Sequence, residues 1–388
     1  MTYSVTFYCP DTHLVYNLHT LDKQGIGGGV TSRIRMAHAL AELGHRVTIY
    51  NNCPKKQNID NVHYIPYQQS ERIYSDIFIA STSGDGLDLS SLERINIIAK
   101  LQILMVHGID PPHGIDLSEF DYFYAHSEFI RQLIVEVWGI DPIKLFTAYR
   151  GIKDNYYHLT GGELPQRDQF GIVYASHPAK GLGPAREILK ILIEAEPRFS
   201  LNVYGGFQLW GEEERDLDTA PGVTYHGMIG QQALAHELQK YSYALNIQDR
   251  EEPFGMSVIE AMKAGCIVLA SSVGAFPEII QTGYDGFLIK GRSSDDSTLQ
   301  SASGIILDLV GNEEQRNQIS SKAIVSPHSW IEIAQAWQGH WDWALGRHTQ
   351  TRTNTVLVNC FACKSEILSL SDGMHCVGCG RYFKSISQ

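Results

Sequence analysis

Two carboxylates flank a turn in the segment EEPFGMSVIEAMKAG at residues 251–265. Glu252 precedes the Pro-Phe-Gly turn, and Glu260 lies inside the short helix that this turn should open. The first N–H groups of a helix, together with the positive end of its dipole, form a natural anion site. Carboxylates beside such a site can hold sugar hydroxyls while the N–H groups hold phosphate. The spacing therefore predicts a pocket for a nucleotide-activated sugar.

A lysine in a second turn could serve the same anion. Lys180 stands within ASHPAKGLGPAREIL at residues 175–189, between a predicted strand and a predicted helix. Its ammonium is a compact, mobile charge that suits a leaving diphosphate. Arg250 could assist, or could pair with a neighbouring carboxylate at the surface. Because a lone surface lysine is common, Lys180 gains weight only beside the segment around Glu252.

Two other features fit a ligand cleft. His107 follows the apolar run LQILMV and should lie at the carboxyl end of a strand, where ligands bind in open α/β sheets; a structural histidine is the alternative. The loop GIGGGV at residues 25–30 joins a strand to a helix, and its glycines allow close approach of a ligand. Val30 stands where a dinucleotide fingerprint needs glycine, so that fingerprint is not predicted, and a flexible loop is the alternative.

Alternating strands and helices predict βαβ units and parallel sheets, hence an α/β fold. The 388 residues exceed what one core usually serves, so we expect two domains. A net charge of −12 argues against a broad nucleic-acid footprint. No transmembrane segment is predicted, since no apolar run reaches about 18 residues, and no secretory signal is predicted, since MTYSVTFYCP lacks a basic region followed by an apolar one. We therefore expect a cytoplasmic protein, which could be peripheral at a membrane.

The cysteines fall into two groups. Three are single and fit small buried hydrophobes: Cys9, Cys53 and Cys266. Four form the pairs CFAC and CVGC near the end of the chain: Cys360, Cys363, Cys376 and Cys379. Two Cys-x-x-Cys pairs in a cytosolic chain predict a structural tetrahedral zinc site, with two redox dithiols as the alternative.

Taken in order, these motifs resemble the retaining glycosyltransferases of family 4 (glycosyl transferases group 1). The resemblance covers about residues 1–347. It is carried by GGGVTSRIRMAHALAELGHRVTIY, His107, AHSEFIRQLI, YRGI, the KGL of Lys180, VYGG, VTYHGMI, EPFGMSVIEAM, GAFPEII, GYDGFLI and HSWIEIAQAWQGHWDWAL. It implies the GT-B fold, in which two Rossmann-like parallel-sheet domains face a cleft, here followed by a small zinc ribbon.

The resemblance implies the domains up to residue 347, and the polar composition and cysteine spacing beyond it predict the linker and the last module. They are an N-terminal acceptor-side domain at 1–160, a nucleotide-sugar donor domain at 161–327, a closing helix at 328–347 that crosses back to the first domain, a linker at 348–355 and a zinc-ribbon-like module at 356–388.

The resemblance also implies a role for each site residue. Lys180, with Arg250 as a candidate helper, would neutralise the donor diphosphate. The backbone N–H groups that would share this task belong to Phe254, Gly255, Met256 and Ser257. Glu252 would contact the transferred sugar near its reacting carbon, Glu260 would hold the ribose, and His107 would approach the sugar from the first domain. The glycines that would border the acceptor and phosphate cleft are Gly27, Gly28 and Gly29.

Transfer with retention then needs no catalytic metal, because lysine and helix dipole stabilise the leaving group. The pair Asp216 and Asp218 lies in an acidic run and fits a solvated surface better than a metal site. Two positions depart from the family pattern. Ala175 stands where an arginine is usual, and Gly274-Ala275 replaces Gly-Gly. The first departure puts donor affinity in question.

The expected partners are a nucleotide sugar and an acceptor that could be a glycan, a lipid, a protein or a small molecule. The zinc ribbon should dock a protein or tether the chain, because four thiolates leave no open catalytic position. The alternative function is a GT-B-fold donor-binding or scaffold protein without turnover. A sugar-nucleotide epimerase or a phosphorylase is a third reading, against which the segment from Glu252 to Glu260 speaks.

Overall fold

The computed structural model describes residues 1–81, 88–157, 166–213, 215, 217, 219–325, 327–346, 367–370 and 373–384. The chain divides into two compact units. Unit 1 comprises Met1–Asn17, Ser32–Gly151 and Ser329–Gln388, and unit 2 comprises Leu18–Thr31 and Ile152–His328.

The strands are β1 Ser4–Tyr8, β2 Arg46–Asn51, β3 Gln57–Ile59, β4 Val62–Pro66, β5 Arg72–Ser81, β6 Asn96–Val106, β7 Tyr122–Ala125, β8 Leu145–Thr147, β9 Asp168–Ala175, β10 Ser200–Tyr204, β11 Val223–Gly227, β12 Tyr241–Asn246, β13 Ile267–Ser271, β14 Phe287–Ile289, β15 Ile367–Leu370, β16 Gly373–Cys376 and β17 Tyr382–Lys384. The α-helices are α1 Thr20–Lys23, α2 Gly28–Glu42, α3 Glu128–Glu136, α4 Leu182–Ala195, α5 Gln231–Leu238, α6 Met256–Lys263, α7 Phe276–Ile279, α8 Asp296–Val310, α9 Glu313–Val325 and α10 Trp330–Ala344.

Unit 1 is built on a sheet with the order β3-β4-β2-β1-β5-β6-β7-β8. All of its pairs are parallel except β3 with β4. Helix α10 begins at a capping box between Ser329 and Glu332. Its Trp337 and Trp341 are fully buried against aromatic residues of the unit 1 sheet, Trp337 beside Phe7 and Trp341 beside Tyr3.

Unit 2 has a wholly parallel sheet with the order β11-β10-β9-β12-β13-β14. Its inner strands β12 and β13 are buried at every residue, as a parallel sheet between helices requires. Leu245 and Leu269 of the sheet are fully buried in one core with Ile188 of α4 and Ile306 of α8.

The predicted α/β chain with two parallel sheets is confirmed. A third, antiparallel sheet of order β15-β16-β17 lies in the C-terminal part of the chain. Cys360 and Cys363 fall outside the described residues, so the predicted zinc ribbon stays a prediction. Within the described ranges, no helix is both long enough and apolar enough to cross a membrane.

Candidate functional site

The candidate site of unit 2 lies at the carboxyl ends of four neighbouring strands. Lys180 follows β9, Trp210 follows β10, Glu252 follows β12 and Gly274 follows β13. In open parallel sheets this edge is where ligands bind, because the strand ends and helix N-termini converge there. Sequence order thus places the predicted lysine and carboxylate on adjacent strand ends.

Lys180 and Glu252 meet directly. Lys180 Nζ lies 2.7 Å from Glu252 Oε2, and the two side chains are 21% and 14% exposed. Such a pair is partly shielded from solvent yet open to exchange with another anion. The structure therefore brings together the two residues that the sequence assigned to one site.

The loop after β13 fixes the backbone of Glu252. Ala275 N–H donates to the carbonyl oxygen of Glu252 at 2.9 Å. Gly274 has φ +53°, and a Cβ there would lie 2.5 Å from Glu252 N and O. This close approach accounts for the glycine. Ala275, the departure from Gly-Gly, is fully buried.

Helix α6 presents its N-terminus beside Glu252. Gly255 is its N-cap, and Met256 begins the helix. Phe254 and Met256 are buried, which anchors the turn in the core. Ser257 Oγ donates to Asn246 Oδ1 at 3.3 Å, so the first turn is also tied to the end of β12. The first N–H groups of a helix have no acceptor within it, and here they belong to the predicted donor-binding run.

Glu260 lies one turn further along α6. Its Oε1 accepts a hydrogen bond from Gln231 Nε2 at 3.0 Å. Gln231 is the first residue of α5, so Glu260 is oriented by a neighbouring helix rather than by Glu252.

Trp210 organises the cations of the site, and the sequence reasoning missed it. Its ring stacks on His177 with the centroids 3.6 Å apart and the planes 9° from parallel. Arg250 Cζ lies 4.9 Å and Lys180 Nζ 5.9 Å from the centroid of the Trp210 ring. Burial lowers the pKa of His177, so its 3.4 Å contact with Glu212 joins a neutral imidazole to a carboxylate at neutral pH.

In the sequence, Trp210 is the first residue of an acidic run that fits a solvated surface. Asp216 and Asp218 of that run lie outside the described residues. Trp210 is 39% exposed, more than a core aromatic would be. An exposed aromatic beside Lys180 and Arg250 is the sign that could have marked it.

The glycine loop belongs to unit 2 in the described structure. A Cβ at Gly25 would lie 3.2 Å from Met228 Cβ, and one at Gly27 would lie 3.2 Å from the carbonyl oxygen of Leu209. Gly28 and Gly29 open helix α2. The loop therefore packs beside the residues that follow β10 and β11.

His107 lies in unit 1, in a buried cluster with His126 and Arg150. Its Nδ1 accepts from Arg150 Nη2 at 2.7 Å and lies 3.1 Å from His126 Nε2. Because arginine only donates, the proton of His107 must lie on Nε2. Burial, then the charges of His126 and Arg150, hold the pKa of His107 well below its usual value. His107 is therefore a neutral imidazole with a fixed tautomer.

Cys376 and Cys379 lie in a turn that we call the knuckle, residues 376–381. Both are buried, and Gly380 N–H donates to the carbonyl oxygen of Cys376 at 2.9 Å. The knuckle contacts β8 and α3 of its own unit, through Thr147 and Arg131. Among the residues that the structure describes, no group of three or more histidine, cysteine or acidic side chains could hold a metal.

Comparison with known proteins finds a family model that matches part of the chain. Residues 166–325 match the family model "Glycosyl transferases group 1". A D-inositol 3-phosphate glycosyltransferase of Streptomyces scabiei is 26% identical over 180 residues, which are 41% of this chain and 40% of that protein. Spore coat protein SA of Bacillus subtilis is 22% identical over 357 residues, 80% of this chain and 93% of that protein.

A solved structure shares the fold. HepE of Anabaena, in complex with UDP-glucose, superposes with a TM-score of 0.58 at 14% identity, covering 88% of this chain and all of that one (100%). The matched domain and this fold support a GT-B glycosyltransferase.

Proposed function

We propose that this chain transfers a sugar from a nucleotide-sugar donor to an acceptor hydroxyl, with retention and without a catalytic metal. The observation that carries the proposal is the pairing of Lys180 with Glu252 beside the N-terminus of α6. Unit 2 would then be the donor domain and unit 1 the acceptor-side domain.

The roles follow from the charges. Lys180 would take the diphosphate together with the N–H groups of the turn and first residues of α6, from Phe254 to Ser257. Glu252 would accept hydrogen bonds from sugar hydroxyls, and Glu260, oriented by Gln231, would accept from the ribose. The acceptor oxygen bonds to the anomeric carbon, the bond from that carbon to the diphosphate oxygen breaks, and a phosphate oxygen takes the acceptor's proton.

Donor binding must replace the ion pair between Lys180 and Glu252. A diphosphate can take the place of the carboxylate on Lys180, since both are anionic. The released carboxylate then becomes available to a neutral, hydroxyl-rich sugar. The same pair therefore supports a donor with a charged end and a polyhydroxyl end.

Arg250 would supply the cation that Ala175 does not. Ala175 ends β9, and Arg250 follows the neighbouring strand β12. Arg250 and Lys180 both lie near the Trp210 ring. The attraction of each cation to this ring offsets their mutual repulsion and holds both on one side of the site. We therefore propose Arg250 as a second diphosphate ligand and Trp210 as its positioning residue.

The acceptor would bind in unit 1. A cavity of about 440 Å³ lies there after β1, β4 and β5. Its lining consists of Pro10, Asp11, Thr12, His13, Tyr67, Asp88, Ser90 and Ser91. None of these described lining residues is lysine or arginine, so the cavity favours an uncharged polyol over a phosphorylated acceptor. His107, as a neutral Nε2–H donor, would approach the sugar from this unit.

The four C-terminal cysteines are proposed to hold one structural zinc. Cys376 and Cys379 fit this role, because a two-residue spacing in a tight turn suits two thiolate ligands of a tetrahedral ion. Cys360 and Cys363 would complete the set. Such an ion would stabilise the module without taking part in the transfer chemistry.

A donor and acceptor panel tests the proposed function. Wild-type protein is incubated with UDP-, GDP- and ADP-linked hexoses, with and without polyols and glycans. Release of nucleoside diphosphate and the anomeric configuration of the product are then measured. We expect acceptor-dependent release with retained configuration and no requirement for added Mg²⁺ or Mn²⁺. Donor binding without release would favour the scaffold alternative, and an inverted product would contradict retention.

A further inference from the structure

The knuckle at residues 376–381 is joined to the edge strand of unit 1. Thr147 N–H donates to the carbonyl oxygen of Cys379 at 2.9 Å. This backbone hydrogen bond joins the knuckle to the last residue of β8. Arg131 Nη1 donates to Leu145 O at 2.6 Å and lies 3.4 Å from Cys379 O. Arg131, a residue of α3 that is only 6% exposed, thus ties the knuckle and β8 to this helix.

The fit at this joint leaves no room for a side chain. Gly380 has φ +73°, and a Cβ on it would lie 2.3 Å from Thr147 O and 2.7 Å from Thr147 N. Beside it, Arg381 Nε lies 3.5 Å from Glu128 Oε2, and Glu128 Oε1 accepts from Thr147 Oγ1 at 2.7 Å. Backbone, hydroxyl and ion-pair contacts therefore converge on Thr147.

The residues that follow Thr147 hold the histidine cluster. Ala148 O lies 3.2 Å from His126 Nδ1, and His126 Nε2 lies 3.1 Å from His107 Nδ1. Arg150 Nη2 donates to the same Nδ1 of His107 at 2.7 Å. Two groups that contact Nδ1 of the His107 ring, His126 Nε2 and Arg150 Nη2, are thus held by the segment 147–150. A shift of this segment would move or rotate the imidazole.

We propose that the knuckle positions His107, acting through Thr147 and the Arg150 segment, so that the C-terminal module sets the efficiency of transfer from within the same chain. The knuckle and the His107 cluster both belong to unit 1, whereas the proposed donor residues belong to unit 2, so we expect the effect to fall on the transfer step and not on donor binding. This inference rests on the proposed role of His107 in sugar transfer.

The test compares two glycine substitutions in the full-length protein. Gly380→Ala places a methyl group against Thr147, whereas Gly139→Ala, at φ +71°, meets nothing within 4 Å and is the matched control for backbone strain. We expect Gly380→Ala to lower kcat about tenfold or more through misplacement of His107. Its affinity for UDP should stay that of the wild type. The ¹⁵N signals of the His107 and His126 rings should shift, and Gly139→Ala should change none of the three readouts.

Wild-type ring signals and wild-type kcat in Gly380→Ala would overturn the proposal. If the wild type shows no transfer, the proposed function fails, yet the ring signals still decide whether the knuckle positions the cluster. If Gly380→Ala does not fold, Arg381→Gln keeps the glycine and removes the ion pair with Glu128. The same ring shifts, smaller in size, are then expected, and unshifted rings would overturn the proposal.

Discussion

Lys180 Nζ and Glu252 Oε2 are 2.7 Å apart, so the two side chains assigned to opposite ends of a donor are partners of each other. Each neutralises the other at a strand end, where an isolated charge with about a fifth or less of its surface exposed would be poorly solvated. A diphosphate can substitute for the carboxylate without leaving either charge unpaired. The ion pair is therefore compatible with a site that exchanges one anion for another.

Removal of either partner should impair transfer. Lys180→Ala and Glu252→Gln should each lower kcat about 100- to 1000-fold, the usual cost of losing one group that stabilises transition-state charge. Nucleoside diphosphate release measures this. Lys190→Ala is the matched control, because Lys190 forms an equally short but exposed ion pair with Glu187. Full turnover by both site variants would exclude their proposed roles.

The Trp210 ring, near which Arg250 and Lys180 lie, should strengthen donor binding. Arg250→Ala removes one cation, and Trp210→Ala removes the ring that holds it, so each should weaken UDP binding about tenfold. Calorimetric titration with UDP provides the measurement. Arg198→Ala serves as control, since Arg198 lies 4.0 Å from the Phe170 ring centroid elsewhere in unit 2. Unchanged UDP affinity in Arg250→Ala would show that Arg250 does not replace the arginine that is usual at the position of Ala175.

Gly274→Ala tests the support of Glu252. The added methyl group would lie 2.5 Å from Glu252 N and O, so the backbone must shift and carry the carboxylate with it. We expect kcat to fall about 100-fold, because small misplacements at a reacting centre are costly. Gly283→Ala is the control. It also places a side chain at a positive φ (+79°), but its added methyl group meets nothing within 4 Å. Equal activity of the two variants would show that Glu252 needs no such support.

The architecture was largely predictable from the sequence, for a simple physical reason. A buried parallel strand such as β13 is almost wholly an apolar run, and helices such as α3 carry periodic apolar faces. The three-residue strands β8 and β14 lack such a run, so only their neighbours in the sheet define them.

The site was predictable only where its residues lie next to a local motif. Glu252 and Lys180 stand at turns between strand and helix, and the spacing marks them. Trp210, Arg150 and Gly380 act through partners that lie far away in the chain. No periodicity or spacing encodes such contacts, so the structure was needed to find them.

Buried neutral histidines should make the protein sensitive to acid. His340 Nδ1 lies 2.7 Å from the hydroxyl of Tyr124, and burial lowers the pKa of His340 from its usual 6.5 to about 3. The unfolded chain therefore binds the proton more readily, and the stability is present above about pH 6.5 and lost as the pH falls toward 3. As the pH falls through that window, protonation of each such histidine in the unfolded chain should lower the free energy of unfolding by up to about 1.4 kcal/mol per pH unit.

Urea unfolding between pH 7 and 4.5 checks this dependence. His340→Gln should be less stable than the wild type at pH 7 but should show a shallower slope below pH 6.5, by up to about 1.4 kcal/mol per pH unit. The same slope in both proteins would mean that His340 is protonated in the folded state at these pH values.

The zinc prediction is tested by metal analysis of the full-length protein. Purified wild type should contain one zinc per chain, and Cys376→Ser should lose it, because a tetrahedral site needs all four ligands. Cys266→Ser is the control, since Cys266 is a fully buried side chain in unit 2. Absence of stoichiometric zinc in the wild type would contradict the ribbon.

Titration of UDP into wild-type protein and into Lys180→Ala tests the central claim most directly, because it asks whether this lysine holds the diphosphate of a nucleotide. Calorimetry should show one UDP site per wild-type chain and an affinity at least about tenfold weaker in the variant, the cost of one lost charge-assisted contact. Equal affinities, or no binding of UDP, GDP or ADP by the wild type, would contradict the assignment of this site to a nucleotide-sugar donor.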